Sequence, residues 1–226
     1  RAEELARLHD LLAEVERQPT AVVISALSGT AGVGKTALAV HWARQARAEF
    51  PDGQVYVNLR GFDPGGAAVG VGEAIRGFLD AFGVPADRVP RGLDAQAALY
   101  RSLLAGRRVL IVLDNARDAD QVRPLLPGAP GCLALVTSRN RLTGLAVTEG
   151  AHLLPVDLLT PAEARALLAG RLGAGRVAPE PAAGGGIALR GARAPVGPGR
   201  GGRRFPRPPR PAPARARGGG GGGRHA

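Results

Sequence analysis

Two runs of five apolar residues dominate the hydrophobic pattern: Val109-Leu110-Ile111-Val112-Leu113 and Cys132-Leu133-Ala134-Leu135-Val136. A strand that is apolar at every position is covered on both faces, which marks a central strand of a parallel sheet. Residues 21–27 form a third short, β-branched run, again read as a buried strand. Residues 54–59, introduced by the Pro51-Asp52-Gly53 turn, and residues 152–156 complete five expected strands. Between them the apolar spacing changes to three and four. Leu5, Leu8, Leu11, Leu12 and Val15 give an amphipathic helix over 1–17, ended by Gln18-Pro19-Thr20. Leu38, Trp42, Gln45 and Glu49 are spaced as a helix over 35–50.

Ile75, Phe78, Leu79 and Phe82 predict a helix over 72–82 with its inner face defined, and Gly83 as its stop. Residues 61–70 before it read as a loop. Asp94 is the expected cap of the next helix, whose inner positions are Ala98, Leu99, Leu103 and Leu104 and which Gly106 closes. A short helix is expected over 118–126. Thr160-Pro161-Ala162-Glu163 has the form of a capping box, with proline at the first helical position of a helix that runs to about residue 172. Strands alternating with helices mean an α/β domain, a parallel sheet covered on both faces. Ligands of such sheets bind where the loops leave the strand C-termini.

The stretch at that edge with the clearest chemistry is Gly29-Thr30-Ala31-Gly32-Val33-Gly34-Lys35-Thr36, which fits the phosphate-binding pattern G-x-x-x-x-G-K-[ST]. Its glycines let the backbone curl around an anion, its N–H groups turn inward, and the helix that follows adds the positive end of its dipole. Lys35 is expected to reach β- and γ-phosphates, and the Thr36 hydroxyl to ligate Mg²⁺. Lys35 is also the single lysine among 30 basic residues. Arginine serves wherever a generic cation suffices, so a compact ammonium is needed here.

Two further candidates leave strands on the same edge. Asp114 follows the first apolar run and is placed to hold Mg²⁺, directly or through water. Asn115 beside it can orient a water but cannot take its proton, so hydrolysis is expected to be slow or partner-dependent. Thr137-Ser138-Arg139 follows the second run, and Arg139 could pair with a γ-phosphate. Such a charge-assisted contact is worth roughly 1.5–3 kcal/mol per hydrogen bond. His41 and His152 read as packing or surface histidines rather than ligands, His9 and His225 have no partner at metal-ligand spacing, and Cys132, the sole cysteine, reads as a buried thiol.

Composition divides the chain in two. Residues 176–226 hold eleven of the 30 basic residues and one of the 19 acidic ones, so the net charge of +11 belongs almost wholly to this stretch. Residues 1–175 are nearly neutral, which is not the surface of a nucleic-acid-binding domain. The stretch is glycine, proline, alanine and arginine without periodicity. Its burial cannot offset an ordering cost of about 1–2 kcal/mol per residue, so disorder is expected. One cysteine excludes a disulfide scaffold, no run approaches a membrane span, and no signal-peptide pattern opens the chain. A cytoplasmic protein is expected. The absence of methionine, even at position 1, suggests a segment of something longer.

Together the glycine loop, Leu113-Asp114-Asn115, Val136-Thr137-Ser138-Arg139 and Leu158-Leu159-Thr160-Pro161-Ala162-Glu163-Ala164 resemble the NB-ARC domain. This is the nucleotide switch of signal-transduction ATPases with numerous domains (STAND). The variety most similar is that of bacterial transcriptional activators of antibiotic clusters. The resemblance covers about residues 1–175. It implies a three-layer P-loop NTPase, sheet order 2-3-4-1-5, that binds ADP or ATP with Mg²⁺ and sits beside DNA-binding and repeat domains. It also implies a possible nucleotide-dependent oligomer. Arg1-Ala2-Glu3-Glu4-Leu5 is similar to the family's entry motif, which places Arg1 near the adenine.

The family continues with a helical subdomain whose Gly-Leu-Pro-Leu segment covers the adenine. That segment is not found in the tail. Codons compatible with residues 189–198, read one base later, can encode Ala-Leu-Pro-Leu, so a frameshift near residue 189 is an expectation that the coding DNA decides. Two other readings are weighed: a P-loop phosphotransferase, which needs an acceptor pocket and an arginine-bearing lid, and a nucleic-acid-binding protein acting through the basic tail.

Overall fold

The computed structural model describes residues 1–17 and 23–172. The expected turn at 18–20, the first two residues of the expected first strand, and everything foreseen for the tail, including His225 and the frameshift segment, lie outside them.

Five parallel strands form one sheet: β1 (Val23–Ser28), β2 (Gly53–Asn58), β3 (Val109–Ala116), β4 (Leu133–Ser138) and β5 (His152–Pro155). Their order is β2-β3-β4-β1-β5, as the resemblance implies. The helices are α1 (Ala2–Arg17), α2 (Lys35–Gln45), α3 (Val71–Ala81), α4 (Leu93–Leu104), α5 (Ala119–Val122), α6 (Thr143–Glu149) and α7 (Pro161–Leu172).

The two apolar runs behave as continuous burial requires. Val109, Ile111 and Leu113 of β3 face one core with α3 and α4, while Leu110 and Val112 face a second core with α1 and α2. Ala134 and Val136 of β4 join the first, and Leu133 and Leu135 the second. This is the three-layer arrangement, with the two central strands sealed on both faces.

Several helices differ in detail from their expected faces. α2 ends at Gln45 and tightens to a 3₁₀ turn over Ala46–Glu49. Its buried side is Leu38, Ala39, Trp42, Ala43 and Ala46, with Gln45 exposed. Small alanines let the helix approach the sheet, and hydropathy spacing under-weights them. In α4 the inner face is Gln96, Ala97, Tyr100 and Leu104, with Ala98 exposed. Tyr100 turns inward because its ring stacks on Phe78 at 5.4 Å and its hydroxyl donates to the Leu125 carbonyl. Asp94 does not cap α4; Gly92 is the N-cap residue and Asp94 lies in the first turn, where its charge suits the helix dipole. The capping box of α7 is formed: the Glu163 N–H donates to Thr160 Oγ1, and the Thr160 N–H to Glu163 Oε2. α6 has no counterpart among the expected elements.

Among the described residues, no helix is long and apolar enough to cross a membrane. His9, His41 and His152 lie at the surface, and Cys132 is buried.

Candidate functional site

β1 delivers the chain to the glycine loop and α2 takes it away at Lys35. Gly29 sits where the loop passes beneath the end of β5. A Cβ there would stand 2.3 Å from the Val156 carbonyl oxygen, so only glycine fits. Gly34 turns into α2 with φ 98°, a left-handed conformation that other residues resist. Val33 is buried and pins the loop to the core between α2 and β5, while Thr30, Ala31, Gly32 and Thr36 are exposed.

Lys35 is 9% exposed, and its ammonium donates to the carbonyls of Gly29 at 2.6 Å and Thr30 at 2.8 Å. Burial, and then the positive charge of Arg139, hold its pKa below the ordinary lysine value; the charge of Asp114 offsets part of this. Lys35 thus feels both of the other charged residues expected at this edge.

Asp114 ends the apolar run of β3 and is almost fully buried, with three hydroxyl groups around it. Thr36 Oγ1 donates to Oδ1 at 2.7 Å, Thr137 Oγ1 donates to Oδ1 at 2.5 Å, and the Tyr56 hydroxyl donates to Oδ2 at 2.9 Å. A buried carboxylate needs such donors, since its desolvation is otherwise costly. Burial and the neighbouring Asp114 charge push the Tyr56 phenol well above its usual pKa, so it remains a donor.

Asn115 takes φ 57°, the left-handed region that asparagine tolerates better than most residues. The β3–β4 register slips between Leu113 and Ala116, so Asn115 lies in a bulge. Its N–H donates to Thr137 Oγ1 and its carbonyl accepts from the Gly61 N–H. The amide side chain makes no hydrogen bond among the described residues.

Arg139 leaves β4 exposed, with its guanidinium over the Phe62 ring. The Arg1 guanidinium donates to the Val33 carbonyl of the loop at 2.7 Å and pairs with Glu4.

The expected site residues are therefore gathered on one sheet edge. Thr36 and Asp114 offer a hydroxyl and a carboxylate already in contact, a donor set that suits Mg²⁺, which keeps several waters and shares phosphate oxygens. Among the described residues no group of three His, Cys, Asp or Glu side chains is placed to hold a metal ion. Tyr56 and Phe62 were missed in the sequence. Nothing in their local patterns points to Asp114 or Arg139, because both contacts cross between elements. Thr137 was more legible, as a hydroxyl closing an apolar strand beside another strand-end aspartate.

No family model matches the chain. Two regulatory proteins do. AfsR of Streptomyces griseus is 54% identical over 160 residues, which cover 70% of this chain and 16% of that protein. AfsR of Streptomyces coelicolor is 50% identical over 184 residues, 80% of this chain and 18% of that protein. The chain is a homologue of a segment of AfsR. It spans less than a fifth of the length of either AfsR protein. Solved structures share the fold. Cdc6p of Pyrobaculum aerophilum superposes with a TM-score of 0.58 at 19% identity, over 77% of this chain and 49% of that one. The ORC2 protein of Aeropyrum pernix, solved in ADPNP–ADP complexes, superposes with a TM-score of 0.53 at 20% identity, over 76% of this chain and 51% of that one. The AfsR-like chain thus has the three-layer P-loop NTPase fold.

Proposed function

We propose that this chain is the nucleotide-binding switch module of a larger transcriptional regulator, of NB-ARC type, working in the cytoplasm. The observation that supports it best is the contact between Thr36 and Asp114 at the mouth of the glycine loop, with Lys35 beside them. The ligand is ADP or ATP. The backbone of residues 29–36 cradles the phosphates, and the Lys35 ammonium exchanges two loop carbonyls for phosphate oxygens, which are stronger acceptors. Thr36 and Asp114 would hold Mg²⁺, which would supply charge neutralisation when bound. Tyr56 and Thr137 fix the Asp114 carboxylate. Arg139 reports the γ-phosphate, and Arg1 lies towards the adenine side of the loop. Asn115 orients water without deprotonating it, so turnover is slow.

A switch requires contacts that differ between its two states, and Arg139 is the side chain whose contacts depend on the third phosphoryl group. DNA-binding and repeat domains, and any nucleotide-dependent assembly, belong to the longer protein that the AfsR relatives represent. Calorimetry with ADP and ATP, with and without Mg²⁺, tests the reading. Binding that depends on Mg²⁺ and is lost on Lys35→Ala supports it. Equal affinity in wild type and Lys35→Ala removes it.

A further inference from the structure

Arg139 rests against Phe62. Its guanidinium carbon stands 5.0 Å from the centroid of the Phe62 ring, and Nη2 donates to the Phe62 carbonyl at 3.4 Å. Phe62 belongs to the loop between β2 and α3, and the root of that loop is fixed. The Val69 N–H donates to the Leu59 carbonyl at 2.9 Å, closing the loop at its base. The buried Gln121 amide donates to the carbonyls of Leu59 and Val69, each at 3.1 Å, and its oxygen accepts from the Arg117 N–H. The Gly61 N–H donates to the Asn115 carbonyl at 2.8 Å, and a Cβ on Gly61 would stand 2.4 Å from the Arg117 nitrogen. Phe62 is thus the first side chain beyond a point clamped to the strand end that carries Asp114 and Asn115.

We propose that Phe62 is a positioning residue that parks Arg139 away from the phosphates, so that a nucleoside triphosphate must draw the guanidinium off the ring and a diphosphate need not. This deepens the reading of Arg139 as the γ-phosphate sensor and rests on it. The parked position lowers triphosphate affinity without touching diphosphate affinity, and so biases the module towards its ADP state. An exposed guanidinium over a half-buried ring gains little, so the bias is modest, about two- to fivefold. Engagement of the γ-phosphate also frees Phe62, which makes the 60–68 loop the part of the surface that changes with nucleotide.

The test uses the full chain and reads the affinity ratio between Mg·ADP and a non-hydrolysable Mg·ATP analogue by calorimetry. Phe62→Leu keeps apolar bulk and removes the ring face. It is expected to shift the ratio about two- to fivefold towards the triphosphate with ADP affinity unchanged. Phe62→Tyr, which keeps the ring, is expected to match wild type, and the Phe62→Leu effect is expected to vanish in an Arg139→Ala background. An unchanged ratio in Phe62→Leu, while Arg139→Ala alone weakens the triphosphate, overturns the parking role and leaves the sensor reading intact. An equal change for both nucleotides also overturns it, as a structural effect. No response to Arg139→Ala removes the sensor and the parking role together.

Discussion

The Thr36 hydroxyl donates to Asp114 Oδ1 at 2.7 Å, joining residues 78 positions apart in the chain. The contact exists because β1 and β3 flank β4 in the sheet, so the glycine loop after β1 and the end of β3 meet at one edge. Asp114→Asn keeps the size of the group and removes its charge. If Asp114 holds the metal through water, the variant is expected to lose about 10- to 100-fold in Mg²⁺ affinity. Titrating Mg²⁺ into the nucleotide complex, with a chelator control, measures this. Affinity for nucleotide in chelator is expected to change little.

Tyr56→Phe removes one of the donors to the same carboxylate without emptying space. The expected cost is about 1–3 kcal/mol, because a buried charged acceptor loses a hydrogen bond. Trp42 is the sole tryptophan and is fully buried, so its fluorescence reports unfolding in denaturant directly. A midpoint equal to wild type would show that water replaces the phenol at no cost.

The loop carrying Phe62 depends on Gly61 and Gln121. Gly61→Ala forces a Cβ against the backbone of Arg117, which cannot yield as a flexible side chain would. Overpacking of this kind costs about 1–3 kcal/mol. Gln121→Leu takes the side-chain donor from the carbonyls of Leu59 and Val69 and the acceptor from the Arg117 N–H, while the Leu59 carbonyl keeps its bond from the Val69 N–H. Both variants are expected to lower the denaturation midpoint and to speed proteolysis within 60–68, read by mass spectrometry of the fragments.

Asp118 caps α5, its side chain accepting from the Gln121 N–H, and the Arg117 guanidinium beside it holds its carboxyl below the ordinary value of 3.8. A depressed acid stabilises the fold above its unfolded pKa, and that contribution is lost as pH falls through the lowered folded value. Asp118→Asn preserves the cap and is expected to remove this part of the acid sensitivity below pH 3.8. Asp118→Ala loses the cap as well, at about 0.5–2 kcal/mol at neutral pH. Stability curves of the three proteins between pH 2 and 7, followed by Trp42, separate the two effects.

Much of the site could be read before any fold was known, since its motifs are local. The glycine loop, the strand-end aspartate and the strand-end arginine each follow an apolar run, and a parallel sheet sends every such end to one edge. The faces of α2 and α4 were less legible. Ala39, Ala43 and Ala97 are buried although small, and Ala98 is exposed, so hydropathy alone could not set the rotation. α6 is short, ends on Gly150 in a left-handed conformation, and buries mainly Leu145, too little for a periodic signal.

What the sequence determined is the candidate chemistry: a glycine loop of the phosphate-binding pattern, a single lysine within it, and two charged side chains at strand ends. Strand length and apolar runs also determined a parallel sheet, because those depend on neighbours a few residues away. Only the tertiary structure decided what surrounds each charge. Tyr56, Thr36 and Thr137 converge on Asp114 from three different elements, and Phe62 meets Arg139 from a fourth. Such contacts depend on strand order and loop course, and those are fixed by packing of the whole domain, which no local pattern records.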